Sequence, residues 1–261
     1  MSPESGTPAA PATWPSAGSG AEPARGAAQA AGRRRILVAT RSLHKLNELR
    51  DLLHLPETDL LSLDDVGVAE EAVEDAATFR ANAILKARFY AGLSGLPTLA
   101  DDSGLEVDAL GGGPGVRTRR YASETATDEE NNAKLLRELA GLPAERRGAR
   151  YSCVLAYVDP TGANAGTDPT GRHAGAGHLA SPGRAFRGSA RAVTRSGTFE
   201  GRIAVAPRGS NGFGYDPIFE PSTEPPGGRT VGQLTQGEKN RVSHRARAAT
   251  AMARLLRSQR L

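Results

Sequence analysis

Several short stretches of this chain carry residue types that do chemistry together. Ala100-Asp101-Asp102-Ser103-Gly104-Leu105-Glu106-Val107-Asp108 places two adjacent acids after an apolar run. Adjacent carboxylates repel, so they need a cation or a raised pKa. Hard oxygen ligands suit Mg²⁺. Upstream, Glu70-Glu71-Ala72-Val73-Glu74-Asp75 adds Glu70, Glu71, Glu74 and Asp75 to Asp102 as carboxylates available to one metal. Most residues of such a loop are solvated and cap a helix dipole, which leaves one or two as ligands. Thr40-Arg41-Ser42-Leu43-His44-Lys45 follows a β-prone run and opens a helix. Free backbone N–H groups and the helix dipole make that turn an anion site, with hydroxyls from Thr40 and Ser42 and a cation from Lys45. Read alone, it is an N-cap followed by solvated basic residues.

Three further groups are weaker taken singly. Asn82 and Lys86 are four apart on one helix face, the spacing of a polar surface pair. Ser210-Asn211-Gly212-Phe213-Gly214-Tyr215-Asp216-Pro217 sets an aromatic between two glycines with an acid after it. Phe213 in such a loop can stack on a base whose edge Asp216 bonds, and equally can pack in a β-turn. Lys239, His244 and Arg245 lie off the apolar stripe of the last helix and read as a solvated basic face.

The elements that must position these residues alternate. Arg35–Thr40 is a strand, and Leu43, Leu46, Leu49 and Leu53 then recur at helical spacing. Leu60–Val68 is a second strand. Thr78–Tyr90 is a helix with Thr78 as N-cap. Pro97–Val107 is a third strand running into a carboxylate-rich turn, and Gly111–Gly115 is a loop. Thr127–Leu139 is a helix opened by a capping box. Ala149–Val158 and Ala192–Ala206 form a hairpin. One last helix over 237–257 carries Val242, Ala246, Ala249 and Leu256 as its buried stripe. Strand–helix alternation followed by a hairpin predicts an α/β fold with a mixed sheet.

The chain has 261 residues, a net charge of +4 and one cysteine. That length builds a core without staples. A lone Cys153 excludes a disulfide framework within the chain and fits a reducing, cytoplasmic setting. The basic excess is confined to two segments, with net +2 in residues 1–35 and +3 in 159–196, leaving −1 elsewhere. A nucleic-acid face built into the fold is therefore not expected. No apolar run approaches the ~20 residues of a membrane span. Residues 1–34 are expected to be a disordered Ala/Pro/Gly-rich tail, without the apolar core of a secretory signal. Residues 35–261 are expected to be one domain, with a disordered insertion at about 159–190.

Together and in this order, the motifs resemble the inosine triphosphate pyrophosphatase family, the XTP/dITP diphosphatases. The resemblance covers about 35–158 and 197–257. Its specific parts are the Ala-Asp-Asp-Ser-Gly-Leu-x-Val-Asp-x-Leu-Gly-Gly stretch, Phe-Gly-Tyr-Asp-Pro-Ile-Phe, and Ser243-His244-Arg245. Asn82-Ala83-x-x-Lys86-Ala87 and Arg120-Tyr121 agree with it. The resemblance implies an elongated two-lobed α/β fold with a central mixed sheet flanked by helices. It also implies a homodimer and Mg²⁺-dependent hydrolysis of XTP, ITP and dITP to monophosphate and pyrophosphate, which clears deaminated nucleotides from the pool. Carried onto this chain, Thr40, Ser42 and Lys45 hold the triphosphate, with Asn82 and Lys86 on the phosphate side. Glu74 and Asp102 bind Mg²⁺. Asp102 also accepts a proton from the attacking water, Asp101 supports it, and Ser103 touches substrate. Phe213 stacks on the purine in a pocket shaped by Gly214, Tyr215 and Asp216, and Lys239, His244 and Arg245 read the base.

One departure lies in the first motif, where the family's Asn position is Ser42. Arg41, if it points inward, or His44 would compensate. A second reading follows from that departure: a descendant that binds nucleotide without turning it over. A phosphatase with an aspartyl nucleophile does not fit, because Asp101-Asp102-Ser103-Gly104 lacks the Asp-x-Asp spacing.

Overall fold

A computed structural model describes residues 33–161 and 190–258. The expected tail, apart from Arg33 and Arg34, lies outside the described residues, as does most of the expected insertion. Strands β1 (Arg34–Val38), β2 (Thr58–Leu61), β3 (Thr98–Val107), β4 (Gly148–Val158), β5 (Val193–Ile203) and β6 (Phe219–Pro221) form one sheet in the order β2-β1-β3-β4-β5-β6. β1 is parallel to both β2 and β3, and every other pairing is antiparallel. The sheet is mixed and carries α1 (Leu43–Leu53), α2 (Phe79–Ser94), α3 (Asp128–Glu138), α4 (Gln236–Val242) and α5 (His244–Ser258).

Period-two alternation assigns the faces. Ile36, Val38, Leu99, Cys153, Leu155 and Tyr157 pack with α1 and α5. Leu37, Ala100, Ala156 and Val158 face α2 on the other side. Further along the same long strands, Leu105, Val107, Ala149 and Tyr151 join a separate core with Leu135 of α3 and Phe219. β3 and β4 therefore run through both cores, and the break between the cores falls at Asp101–Ser103.

Local chemistry sets the helix ends. Thr78 Oγ1 accepts from Ala81 N at 3.1 Å. Thr127 and Glu130 form the expected capping box at α3. Thr235 and Glu238 form another at α4. Gly197 of β5 lies against the first turn of α5, where a Cβ would overlap the His244 carbonyl and come 2.8 Å from Ala248 N. A side chain there would lift α5 off the sheet.

The expected third strand holds, and the acids at 101 and 102 lie within it, because pairing with β4 continues from Thr98↔Val158 to Val107↔Ala149. Three expectations are corrected. The second strand stops at Leu61, since Ser62–Asp65 closes a side-chain-capped turn. Leu43 is exposed, standing in the first turn of α1 outside the stripe of Leu46, Leu49 and Leu53. The final helix is two helices. Ser243 is extended (ψ 157°), ends α4 and caps α5 by accepting from Ala246 N at 3.1 Å.

Candidate active site

β1 ends at Val38, paired with Leu99, and the chain turns through Thr40–Ser42 into α1. Beyond that point β3 has lost its parallel neighbour, and Asp101 and Asp102 border the opening. Ligands gather at such a point, where strand connections diverge. Strand geometry sends the two carboxylates to opposite faces. Asp101 meets Lys45 of α1 (Oδ2–Nζ 3.1 Å) and Arg245 of α5 (3.4 Å). Asp102 meets Lys86 of α2 (Oδ1–Nζ 3.1 Å), which also holds Glu74 at 2.8 Å. Each acid thus has its own cation, and the repulsion expected of neighbouring acids is relieved by geometry.

Two adjoining cavities occupy the opening. The larger, about 600 Å³, is bordered by Thr40, Arg41, Ser42, Lys45, Glu71, Glu74, Lys86, Asp101, Asp102 and Arg120. The smaller, about 240 Å³, is bordered by His44, Tyr151, Phe213, Gly214, Tyr215, Asp216, Lys239, His244 and Arg245. Ser42, Lys45, Ser103, Thr118 and Arg119 border both. The first is a charged chamber and the second an aromatic slot.

In the slot, Phe213 stacks on His44 at 5.3 Å between centroids, and Lys239 Nζ lies 4.4 Å from its ring centre. Asp216 fixes this loop: it accepts from Phe213 N at 3.0 Å, Lys239 Nζ at 2.8 Å and Tyr151 Oη at 3.2 Å. Gly212 has φ +79°, and a Cβ there would fall on the Asp216 carboxylate, so glycine is required. Behind the slot, buried Glu48 bridges Lys239 (2.9 Å) and Arg245. Three acids, Asp101, Glu48 and Asp216, thereby connect Lys45, Arg245 and Lys239 in one buried chain.

Burial dominates the acid–base properties. It would raise the Asp101 carboxyl, but Lys45, Arg245 and Lys86 outweigh it and hold the group well below the usual range. For Asp102 burial prevails over Lys86 and Lys45, and the carboxyl is pushed up to about 6. Burial also raises Asp216 despite Lys239. Glu48 is lowered, since Arg245 and Lys239 overcome its burial. Burial pushes the Cys153 thiol up to about 12, so it is inert.

Five residues bordering the cavities carry a buried side-chain atom without a hydrogen-bond partner: Asp102 Oδ2, Asp101 Oδ1, Arg120 Nε, His244 Nδ1 and Arg245 Nε. The first is a hard oxygen in the charged chamber, and Glu74 stands across Lys86 from it. That donor chemistry fits Mg²⁺, which takes one or two carboxylates and leaves its remaining positions to water and phosphate. Glu70 and Asp75 do not border the chamber.

The placement of other expected residues differs from the sequence reading. Lys86 is buried rather than part of a surface pair. Asn82 is buried too, but both ends of its amide are bonded to Ala76, at 2.9 and 3.3 Å, and it borders neither cavity. It shapes the loop that carries Glu74. Arg41 borders the chamber while bonded to Asp64 and to the Val68 and Glu70 carbonyls. His44 is committed to Phe213. Ser42 caps α1, accepting from Lys45 N at 3.4 Å. Lys239, His244 and Arg245 form no solvated face: all three are buried, because Glu48, Asp101 and Asp216 neutralise the two cations and Tyr151 stacks on His244. Glu48, Thr118, Arg119, Asp128 and Tyr151 are site residues that sequence reasoning missed. Glu48 had one signal, an acid three residues after Lys45 beside an apolar stripe.

Burial, then the charges of Arg245 and Lys239, keep His244 neutral, with its pKa well below 6.5. Asp101 favours the charged form and Lys45 opposes it, both more weakly. A histidine of depressed folded pKa contributes stability above its unfolded value and loses it as pH falls below about 6.5. Urea denaturation at pH 7.5 and 5.5 is expected to show wild type losing up to ~1.4 kcal/mol more per pH unit than His244→Gln. Parallel losses in the two proteins would remove His244 from this account.

Comparison with known proteins agrees with this architecture. The dITP/XTP pyrophosphatase of Geobacter sulfurreducens is 45% identical over 215 residues, 82% of this chain and 92% of that protein. That of Geobacillus kaustophilus is 42% identical over 217 residues, 83% and 91% of the respective chains. A HAM1 protein from Coxiella burnetii superposes with a TM-score of 0.68 at 35% identity, covering 86% of this chain and 99% of that one. A nucleoside-triphosphatase, dITP/XTP pyrophosphatase, from Mycobacterium abscessus does so at 0.61 and 40% identity, covering 84% and 98%. The Ham1 family model matches residues 36–255, from the first strand to the last helix that frame the two cavities, and the chain belongs to the Ham1 family.

Proposed function

We propose that this protein hydrolyses purine nucleoside triphosphates with deaminated bases (XTP, ITP and dITP) to the monophosphate and pyrophosphate, clearing them from the nucleotide pool. The observation that carries the reading is the joined pair of cavities, a charged chamber beside an aromatic slot holding two unpartnered buried nitrogens. A purine would enter the slot beside Phe213, displacing the His44 ring that stacks on it, and a triphosphate would take the chamber. The 6-keto oxygen of these bases is an acceptor, and Arg245 Nε is a buried donor without a partner. His244 Nδ1 donates or accepts according to tautomer. Adenine presents an amine at the 6-position and would leave the donor unsatisfied, a cost of ~1–3 kcal/mol.

Thr40, Ser42, Lys45 and Lys86 hold phosphate oxygens. Asp101, kept ionised, orients Lys45 and Arg245 together, so base and phosphate ends share one anchor. Ser103 donates to Asp101 at 3.1 Å and accepts from Arg245 at 3.0 Å, at the passage between the cavities. Asp102 accepts the proton of the attacking water through its free oxygen. Glu74 and Asp102 would hold Mg²⁺, which when bound neutralises phosphate charge and acidifies water. The reading carries with it a homodimer, a cytoplasmic location, and one domain over 35–261 with an insertion near 159–190. Among the described residues no helix is long and apolar enough to cross a membrane.

The test is pyrophosphate release from dITP, XTP, dATP and dGTP with Mg²⁺ at alkaline pH. Rapid release from dITP and XTP is expected, with dATP slower by about ten- to a hundredfold. Orthophosphate as product would sink the reading. Binding of dITP without turnover would support the non-catalytic descendant, in which Ser42 is spent on capping α1.

A further inference from the structure

We propose that Arg119 holds the α-phosphate of the substrate, the phosphorus at which the anhydride is cut; this rests on the pyrophosphatase reading above. Five cationic side chains belong to the charged chamber. Four are committed. Arg41 is bonded to Asp64 at 3.3 Å and to two carbonyls. Lys45 is on Asp101 at 3.1 Å. Lys86 is shared by Glu74 and Asp102. Arg120 is on the Glu74 carbonyl at 3.3 Å and near Glu124 at 3.8 Å. Among the described residues, the exposed guanidinium of Arg119 is the one chamber cation with no acid or carbonyl partner.

Its backbone is fixed. The Arg119 carbonyl accepts from Asn131 Nδ2 at 3.1 Å. Neighbouring Thr118 is tied to Leu105 N at 2.9 Å and to Tyr215 Oη at 2.8 Å. The held main chain fixes where the unpaired guanidinium can reach, and the planar fork of arginine matches two phosphate oxygens at once.

Position names the phosphate. Arg119 borders both cavities. A nucleotide with its base in the slot and its terminal phosphates in the chamber must thread ribose and α-phosphate through the passage. Lys45 is the other cation there, and Asp101 already neutralises it. Arg119 is the charge left for the group nearest the sugar.

Calorimetric binding separates this from the alternatives without relying on turnover. With Mg²⁺ present, dIMP, inorganic pyrophosphate and deoxyinosine are titrated into wild type, R119A and R119K. R119A is expected to bind dIMP about tenfold or more weakly, with R119K between, while pyrophosphate and deoxyinosine change less than about twofold. Unchanged dIMP affinity in R119A, or an equal loss for pyrophosphate, overturns the assignment. Wild type that binds dIMP normally yet releases no pyrophosphate from dITP overturns the catalytic reading instead, and the R119A titration still decides the contact.

Discussion

Asp102→Asn is expected to abolish pyrophosphate release from dITP while making the fold at least as stable as wild type. The substitution preserves shape, and Lys86 keeps its 2.8 Å contact with Glu74. What it removes is a buried chamber carboxylate with one unbonded oxygen; Asp101 has one too, but Lys45, Arg245 and Lys86 hold that group well below the usual carboxylate range, which makes it a poor base. General-base assistance contributes about 10²–10⁴ in rate. The same Asp102 carboxylate is one of the two offered to Mg²⁺, so the loss in kcat is expected at or beyond the upper end of that range. Stability moves the other way. Burial pushes the Asp102 carboxyl up to about 6, so above that pH the fold carries a charge its surroundings disfavour. A neutral amide relieves that cost, as functional groups held at the expense of stability commonly do. Thermal denaturation at pH 8 alongside a pyrophosphate assay checks both halves. Turnover within tenfold of wild type would remove Asp102 from the mechanism. A collapsed melting temperature would make it a structural residue.

What the sequence showed of this site depended on range. Thr78, and Thr127 with Glu130, act on backbone groups two or three residues away, and their caps were legible. The strands were legible too, because alternation is local. The acids at 101 and 102 fell inside the expected third strand even though Asp, Ser and Gly in succession are a turn signal, and ten consecutive pairings with β4 keep them extended. The break at Ser243 was missed because helical periodicity continues across it, from Val242 to Ala246. Lys239 and Arg245 read as solvated because the acids that pair with them, Glu48, Asp101 and Asp216, are distant in sequence. Their partners come from α1, β3 and the Phe213 loop, brought together only when the sheet closes. Phe213 and Asp216 were found by residue type, but their dependence on Lys239 and Tyr151 is tertiary.

Glu48→Ala is expected to destabilise the protein by about 3–5 kcal/mol, the cost of stranding buried charge. Glu48 is 5% exposed and sits between Lys239, itself 5% exposed, and Arg245 at 1%. Without it, Arg245 leans on Asp101 at 3.4 Å and Lys239 on Asp216 alone. For a domain of this size the loss lowers the melting temperature by about 10 °C. Glu48→Gln retains oxygen and shape while losing the charge, and is expected to fall between. An unchanged melting temperature in Glu48→Ala would mean that water or a shifted side chain already compensates. The sharper test pairs Glu48→Leu with Arg245→Met. Buried ion pairs replaced together by apolar groups commonly recover or exceed the original stability, whereas removing one member does not. If the double variant regains most of the loss while binding dITP no better than either single change, the buried charges are retained for placement. Arg245 must face the slot with its Nε free, and an acid behind it is what holds a guanidinium in that orientation.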